Sequence, residues 1–188
     1  MPTGNSFTTK SSPRGSIAGP FRVWLHSPEF TRRATRLGEF LRYQTSLPPR
    51  LSELVILTTA RRQKSEAEWA IHEPLARKAG LPGDLIEALQ SDRRPTFTEA
   101  AEEAIYDYCE QLHRTHSADE STLQRLLSLV GNKAAIEITG LCGYYTMVAM
   151  TLNAFGIGTD AAPKNQTTNI KPNYENPHRL LLPLRTRF

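Results

Sequence analysis

Three side chains that could carry protons lie close together in the middle of the chain. Glu53 is embedded in an apolar segment, residues 51–62, and Glu68 and His72 follow in the next helical segment. A step of four residues places Glu68 and His72 on one face of a helix. Glu53 lies on a stripe of apolar residues that should face the core, where a lone acid needs a partner or a function.

A carboxylate and an imidazole in one pocket can act as general acid and base. Structural roles are also open for these residues. Ser65 followed by Glu68 fits a capping box, in which the Glu68 side chain reaches back to the helix start; it could instead reach sideways to His72. Glu53 could pair with Arg50, three residues earlier. The combination of His72 with two acids favours a functional site.

Composition limits the class of protein. A chain of 188 residues, 39% hydrophobic and 22% charged, fits one globular domain with terminal arms. The net charge of +4 comes from scattered Lys and Arg with no dense basic run, which is only a faint sign of nucleic acid and fits an anionic small molecule equally well. We expect a small acidic molecule as the partner, and no nucleic acid. Cys109 and Cys142 form no CxxC motif and indicate buried thiols in a reducing compartment, the cytoplasm. There is no apolar run near Met1, so a secretory signal is not predicted.

The elements that position these side chains are predicted to be helical, because no segment alternates apolar and polar residues over a useful length. Residues 1–18 predict a disordered leader, residues 19–158 a helical domain and residues 159–188 an extended arm. The first long helix begins at Pro28. Its inward face is predicted to carry Phe30, Ala34, Leu37 and Leu41. Further helices are expected over 49–62, 65–80, 82–91, 96–116, 123–130 and 133–155.

The last of these helices is unusually apolar. Residues 138–157 contain no charged side chain, and this uncharged run is long enough for a membrane span. Several glycines, threonines and tyrosines in the run favour instead a buried core or subunit-interface helix, without membrane contact. In the arm that follows, Leu180, Leu181 and Leu182 form an apolar cluster that should dock on the protein or on a neighbouring chain.

Glu53, nineteen residues before His72, and the run EWAIHEPLARKAGL resemble the signature of the carboxymuconolactone decarboxylase superfamily, which includes the AhpD-like alkylhydroperoxidases. The resemblance covers residues 45–155. In the peroxidase branch a glutamate precedes CxxCxxxH, and the two cysteine positions fall here on Ser65 and Glu68. The chain therefore resembles a branch without the CxxC. The resemblance implies an all-α, AhpD-like bundle of six to seven helices that forms trimers or hexamers.

The same resemblance implies a cofactor-free enzyme, decarboxylase-like, that acts on a small acidic metabolite without a metal. The family's decarboxylase removes CO2 from an unsaturated lactone acid and reprotonates the dienolate that remains. By resemblance Glu53 transfers the proton, His72 donates to the oxyanion or shuttles the proton, and Glu68 orients His72.

Three further residues are candidates for substrate binding. Arg50 and Arg61 could hold a substrate carboxylate, and Trp69 could line the pocket, although a tryptophan there is equally suited to the core. Alternatives to the decarboxylase remain. A peroxidase is disfavoured because neither Ser65 nor Glu68 can serve as a thiolate. A divalent-metal site at the two glutamates and the histidine, or a helical ligand-binding protein without turnover, stays open.

Overall fold

The computed structural model describes residues 19–158, and the regular structure within that range is entirely helical. This confirms the predicted all-α class. The expectations for residues 1–18 and 159–188, including the cluster at Leu180–Leu182, lie outside the described residues. The helices are α1 (Phe21–Trp24), α2 (Pro28–Tyr43), α3 (Pro49–Arg62), α4 (Glu66–Lys78), α5 (Gly83–Gln90), α6 (Ala100–Thr115) and α7 (Glu120–Ala154).

Helix α3 is the centre of the domain. It begins with Pro49 at its first position, where the missing N–H costs no hydrogen bond, and it ends at Arg62 as predicted. Every residue from Ser52 to Ala60 is buried. The helix packs against α4, α6 and α7, so its side chains have no face left for solvent. A carboxylate on this helix is therefore enclosed wherever it points.

Helix α4 carries the second half of the predicted site. Ser65 occupies its N-cap position but makes no capping hydrogen bond, so the capping box predicted from the sequence is wrong. The helix continues through Pro74 to Lys78. It is followed by Gly80, whose φ of 89° is the left-handed conformation that glycine adopts readily.

Helix α2 turns a different face to the core from the one predicted. Ala34 and Leu41 are buried, but Phe30 is 40% exposed and Leu37 is 49% exposed. The reason lies at Gly38, where the ring of Tyr144 from α7 packs directly against the helix backbone. Small residues let α2 and α7 approach closely, and that contact rotates the larger side chains outward.

Helix α7 contains the two segments predicted as separate helices. Its backbone is non-helical at Gly131, with φ 80° and ψ 167°, between the expected segments 123–130 and 133–155. The helix is long and apolar enough to cross a membrane by length and composition alone, with a mean hydropathy of 1.2. Half of that apolar stretch is buried inside the domain, where α7 packs against α2, α3, α4 and α6.

The outer faces of α2 and α7 expose large apolar side chains. Ile136 is 72% exposed and Met150 is 59% exposed on α7, and Leu37 adds to them on α2. Contiguous apolar surface of this kind is typical of contacts between protein chains. We propose that it forms a subunit interface.

Replacement of Gly38 by alanine should destabilise the protein by about 1–3 kcal/mol, because the new Cβ overlaps the packed ring of Tyr144. Urea denaturation measures this loss. The matched control is Gly83→Ala at the start of α5, where the added Cβ meets only the flexible end of the Arg77 side chain. That change should be neutral or stabilise by about 0.4–1 kcal/mol. Equal effects of the two changes would contradict the close contact.

Sedimentation velocity at micromolar concentration should give a mass of three or six times the 21.1 kDa of one chain. Ile136→Glu should lower that mass, because a charge in the interface is desolvated without a partner. Glu120→Gln, at the first residue of α7 and sixteen positions before Ile136, serves as the control. A wild-type mass equal to one chain would contradict the proposed interface.

Candidate active site

The Glu53 and His72 side chains are in direct contact. Nδ1 of His72 lies 2.7 Å from Oε2 of Glu53, and the residues are 4% and 7% exposed, respectively. The packing of α3 against α4 brings them together across nineteen positions of sequence, as the spacing predicted. A carboxylate can only accept, so His72 Nδ1–H donates, and Nε2 is left as the ring nitrogen available to another molecule.

A cation and an aromatic ring complete the surroundings of this pair. The other Glu53 oxygen, Oε1, lies 3.6 Å from a guanidinium nitrogen of Arg42 on α2. The Tyr145 ring from α7 stands edge-on to the His72 ring, with the ring centres 5.1 Å apart. Glu53 thus holds two groups in place, and Tyr145 limits how the imidazole can turn.

Glu68 is the most isolated polar group of the site. The residue is 1% exposed, and neither of its carboxyl oxygens has a hydrogen-bond partner within residues 19–158. Burial raises its pKa from 4.5 to about 8, because water is removed and no cation replaces it. Both roles predicted for this side chain, capping at Ser65 and orienting His72, are therefore wrong. At neutral pH the carboxyl group keeps its proton.

Glu68 and His72 open onto one cavity of about 420 Å³. Arg42 reaches it from α2, and the cavity is otherwise mainly apolar. Glu53 lies behind His72 and Arg42 and does not line the wall. The remaining lining residues come from the α1 region, α2, α4 and α7: Gly19, Pro20, Phe21, Thr35, Gly38, Glu39, Tyr43, Ile71, Tyr144, Tyr145, Val148 and Leu152.

The two arginines predicted to bind substrate lie elsewhere. Arg50 donates to the Glu102 carboxylate and to the Gly80 carbonyl, which also excludes the expected pair with Glu53. Arg61 and Trp69 line a separate cavity of about 240 Å³ at the start of α4. Glu102, the partner of Arg50, is buried. The Arg50 guanidinium is therefore engaged in a structural ion pair and is not free to bind a substrate.

Sequence reasoning missed Arg42, Tyr144 and Tyr145. The two tyrosines carried a signal, because adjacent phenols in an uncharged core helix need a place for their polar ends. Arg42 carried none, since α2 holds several arginines and only the folded structure shows which of them reaches Glu53. Burial raises the pKa of Tyr144 and of Tyr145, so both phenols stay neutral.

A metal site is not formed by these groups in the described range. Within residues 19–158 no three His, Cys, Asp or Glu side chains are arranged to hold an ion. The groups present are a carboxylate–imidazole pair, a second carboxyl group and a guanidinium beside an apolar space, and groups of these types can exchange protons.

Comparison with known proteins agrees with this architecture. A model of the carboxymuconolactone decarboxylase family matches residues 28–111. The crystal structure of a protein of unknown function from Agrobacterium tumefaciens, named a candidate antioxidant defence protein AhpD, superposes with a TM-score of 0.64. The chains are 16% identical, and the superposition covers 71% of this chain and 92% of the other. No curated protein gives a significant match.

The match over residues 28–111 confirms the predicted resemblance to the carboxymuconolactone decarboxylase family. The fold is AhpD-like, as predicted. The positions that resemble the two cysteines of the superfamily's peroxidase branch are Ser65, at the start of α4, and Glu68, in its first turn. Both are buried, and they place a hydroxyl and a neutral carboxyl where that branch has two thiols.

The raised pKa of Glu68 predicts how stability depends on pH. Between the ordinary pKa of 4.5 and the folded value of about 8, the folded state binds more protons than the unfolded state, so stability falls as pH rises. From pH 5 to pH 7 the wild type should lose on the order of 2–3 kcal/mol relative to Glu68→Gln, which cannot ionise.

Urea denaturation at several pH values measures this difference. Glu66→Gln is the matched control, because Glu66 is exposed in the same helical turn and should follow the wild-type profile. Parallel profiles for the wild type and Glu68→Gln would mean that Glu68 is ionised at neutral pH.

Proposed function

We propose that the protein is a cofactor-free acid–base enzyme of the carboxymuconolactone decarboxylase type, acting on a small acidic metabolite such as a lactone acid or an unsaturated or keto acid. The observation that carries the proposal is the buried Glu53–His72 hydrogen bond behind a cavity that also contains an unpartnered carboxyl group. The mainly apolar lining suits a substrate with a hydrocarbon body and one anionic end.

The lining of the cavity suggests how the roles are divided. Loss of CO2 from such an acid leaves an electron pair delocalised onto an oxygen, and the carbon must then accept a proton. His72 presents Nε2 to that oxygen; because Nδ1–H is held by Glu53, Nε2 donates in the form of the ring that carries a proton on both nitrogens. Glu68 holds a proton in a site without water, so it is the candidate donor to carbon.

The remaining charged groups position the substrate and the histidine. Arg42 is the cation that lines the cavity, and it attracts the anionic end of the substrate. Glu53 does not face the cavity, so in this proposal it acts as a positioning residue that holds the His72 ring and the Arg42 side chain. That differs from the direct proton transfer suggested by resemblance.

Two other functions are weaker. A thiol peroxidase of the superfamily needs a thiolate and a resolving thiol, and Ser65 and Glu68 supply neither. A ligand-binding protein without turnover would use the same apolar cavity, but it would have no need of a buried proton donor beside an imidazole. We place the reaction in the cytoplasm, where two free thiols are maintained.

Thermal-shift measurements against small carboxylic acids, including unsaturated lactone acids, test the binding step. A ligand present at about 100 times its Kd should raise the Tm by roughly 5–10 °C. Arg42→Gln should weaken binding about 10-fold or more, because a charge-assisted hydrogen bond is lost. Arg61→Gln removes an arginine from the other cavity and should bind like the wild type.

Any acid that binds is then assayed for release of CO2 and for uptake of solvent deuterium. His72→Ala and Glu68→Gln should each reduce turnover by about 10²–10⁴-fold, and a chelator should leave turnover unchanged. Binding without turnover in the wild type would favour the ligand-binding function. Equal loss of binding in Arg42→Gln and Arg61→Gln would place the substrate elsewhere.

A further inference from the structure

Two sulfur atoms are in contact in the core, apart from the cavity described above. Cys109 on α6 is 0% exposed and Cys142 on α7 is 4% exposed, as the sequence predicted for both. Their Sγ atoms are 3.4 Å apart. They are the two cysteines of the entire sequence. Thiols from different helices that already touch can be joined with little movement of the backbone.

The surroundings of the pair are polar on one side. Oγ1 of Thr59 on α3 lies 3.0 Å from Nε2 of His113 on α6, and both groups are close enough to the Cys142 sulfur to lower its pKa. The contact with Cys109 and then the contact with His113 lower the pKa of Cys142. The same contact and burial raise the pKa of Cys109. The two thiols are therefore unequal, and Cys142 is the one that ionises first.

His113 also connects this cluster with solvent. Its side chain is half-buried, whereas both sulfurs are enclosed. An imidazole between a buried thiol and the surface can take the thiol proton and release it to water. The cluster thus contains a nucleophile, a second thiol and a route for a proton.

We propose that Cys109 and Cys142 are a redox-active pair that closes to an intramolecular disulfide between α6 and α7. The proposal uses neither Glu53 nor His72, so it stands or falls independently of the proposed function. The pair also differs in position from the cysteines of the peroxidase branch, which correspond to Ser65 and Glu68.

A hydroperoxide is the oxidant class that suits an enclosed pair, because the molecule can be small. The Cys142 thiolate attacks one peroxide oxygen, the O–O bond breaks, and an alcohol or water leaves with a proton while Cys142 becomes a sulfenic acid. The Cys109 sulfur then attacks the Cys142 sulfur, the S–O bond breaks and water leaves. Two thiols lose two electrons and two protons, which the peroxide gains.

Closing the bond would act on the cavity through α7. Cys142 lies three residues, about one helical turn, before Tyr145, whose ring faces His72. A disulfide has an S–S length of about 2.05 Å, so the sulfurs must approach by more than 1 Å from their present separation of 3.4 Å. Rotation of the side chains can supply most of this approach, and the remainder falls on α6 and on α7, the helix that also carries Tyr145.

The test treats the full-length folded protein with hydrogen peroxide, removes the peroxide, unfolds the chain in urea so that buried thiols become accessible, blocks the remaining thiols with iodoacetamide and measures the intact mass. The expected result is loss of both alkylation sites, a mass lower by two hydrogens, a peptide that joins residues 109 and 142, and full reversal by dithiothreitol. Because the chain has two cysteines, the cross-link is assigned without ambiguity.

Two variants separate the roles of the sulfurs. In Cys109→Ser the sulfenic acid on Cys142 should persist and be trapped by dimedone. In Cys142→Ser the remaining Cys109 should oxidise at least 10-fold more slowly than Cys142 does in the wild type. Circular dichroism checks that both variants are folded, and the wild-type result decides the proposal if one is not. Unreacted thiols at a peroxide concentration that oxidises the urea-unfolded chain, or cross-links only between chains, would overturn it.

Discussion

The structure depends on how it accommodates a carboxylate inside its central helix. Glu53 lies in the part of α3, from Ser52 to Ala60, in which every residue is buried. An isolated charge there would be strongly unfavourable. Two groups from other helices compensate for the burial of this carboxylate. The His72 ring of α4 donates a hydrogen bond to it, and the Arg42 guanidinium of α2 lies within ion-pair distance. The relative position of three helices is therefore fixed by one carboxylate. Removing either donor would leave the charge unbalanced, which couples stability to the integrity of the site.

Glu68 is also a buried glutamate, but its burial is compensated in a different way. It is as buried as Glu53 but has no donor within the described residues, so it is neutralised by a proton instead of a partner. The two glutamates, fifteen positions apart, thus differ in their surroundings, because Glu53 contacts a histidine and an arginine and Glu68 has no hydrogen-bond partner within residues 19–158. In the proposed enzyme, one residue type supplies both the group that holds the histidine and the acid that gives up a proton.

Much of this arrangement could be predicted from the sequence, and the exceptions have physical causes. The bounds of α3 follow from Pro49 and the apolar run, and the contact of Glu53 with His72 follows from their spacing and the superfamily resemblance. Arg42 could not be predicted, because its role depends on the rotation of α2, which is set by the approach of Tyr144 to Gly38. The prediction for Glu68 was wrong because the local sequence pattern indicated two partners, the start of α4 and His72. In the structure its carboxyl group is buried without a hydrogen bond to either.

The cavity wall and the proton-carrying residues come from different parts of the chain. His72 and Glu68, with Glu53 behind them, lie inside the segment that matches the family, residues 28–111. Phe21, before that segment, and Tyr144 to Leu152, after it, form much of the apolar wall. Under the proposed function, substitutions in the wall can therefore change which hydrocarbon body fits without altering the proton-carrying groups. Such a division between wall and proton-carrying groups would let one helical scaffold accept new substrates.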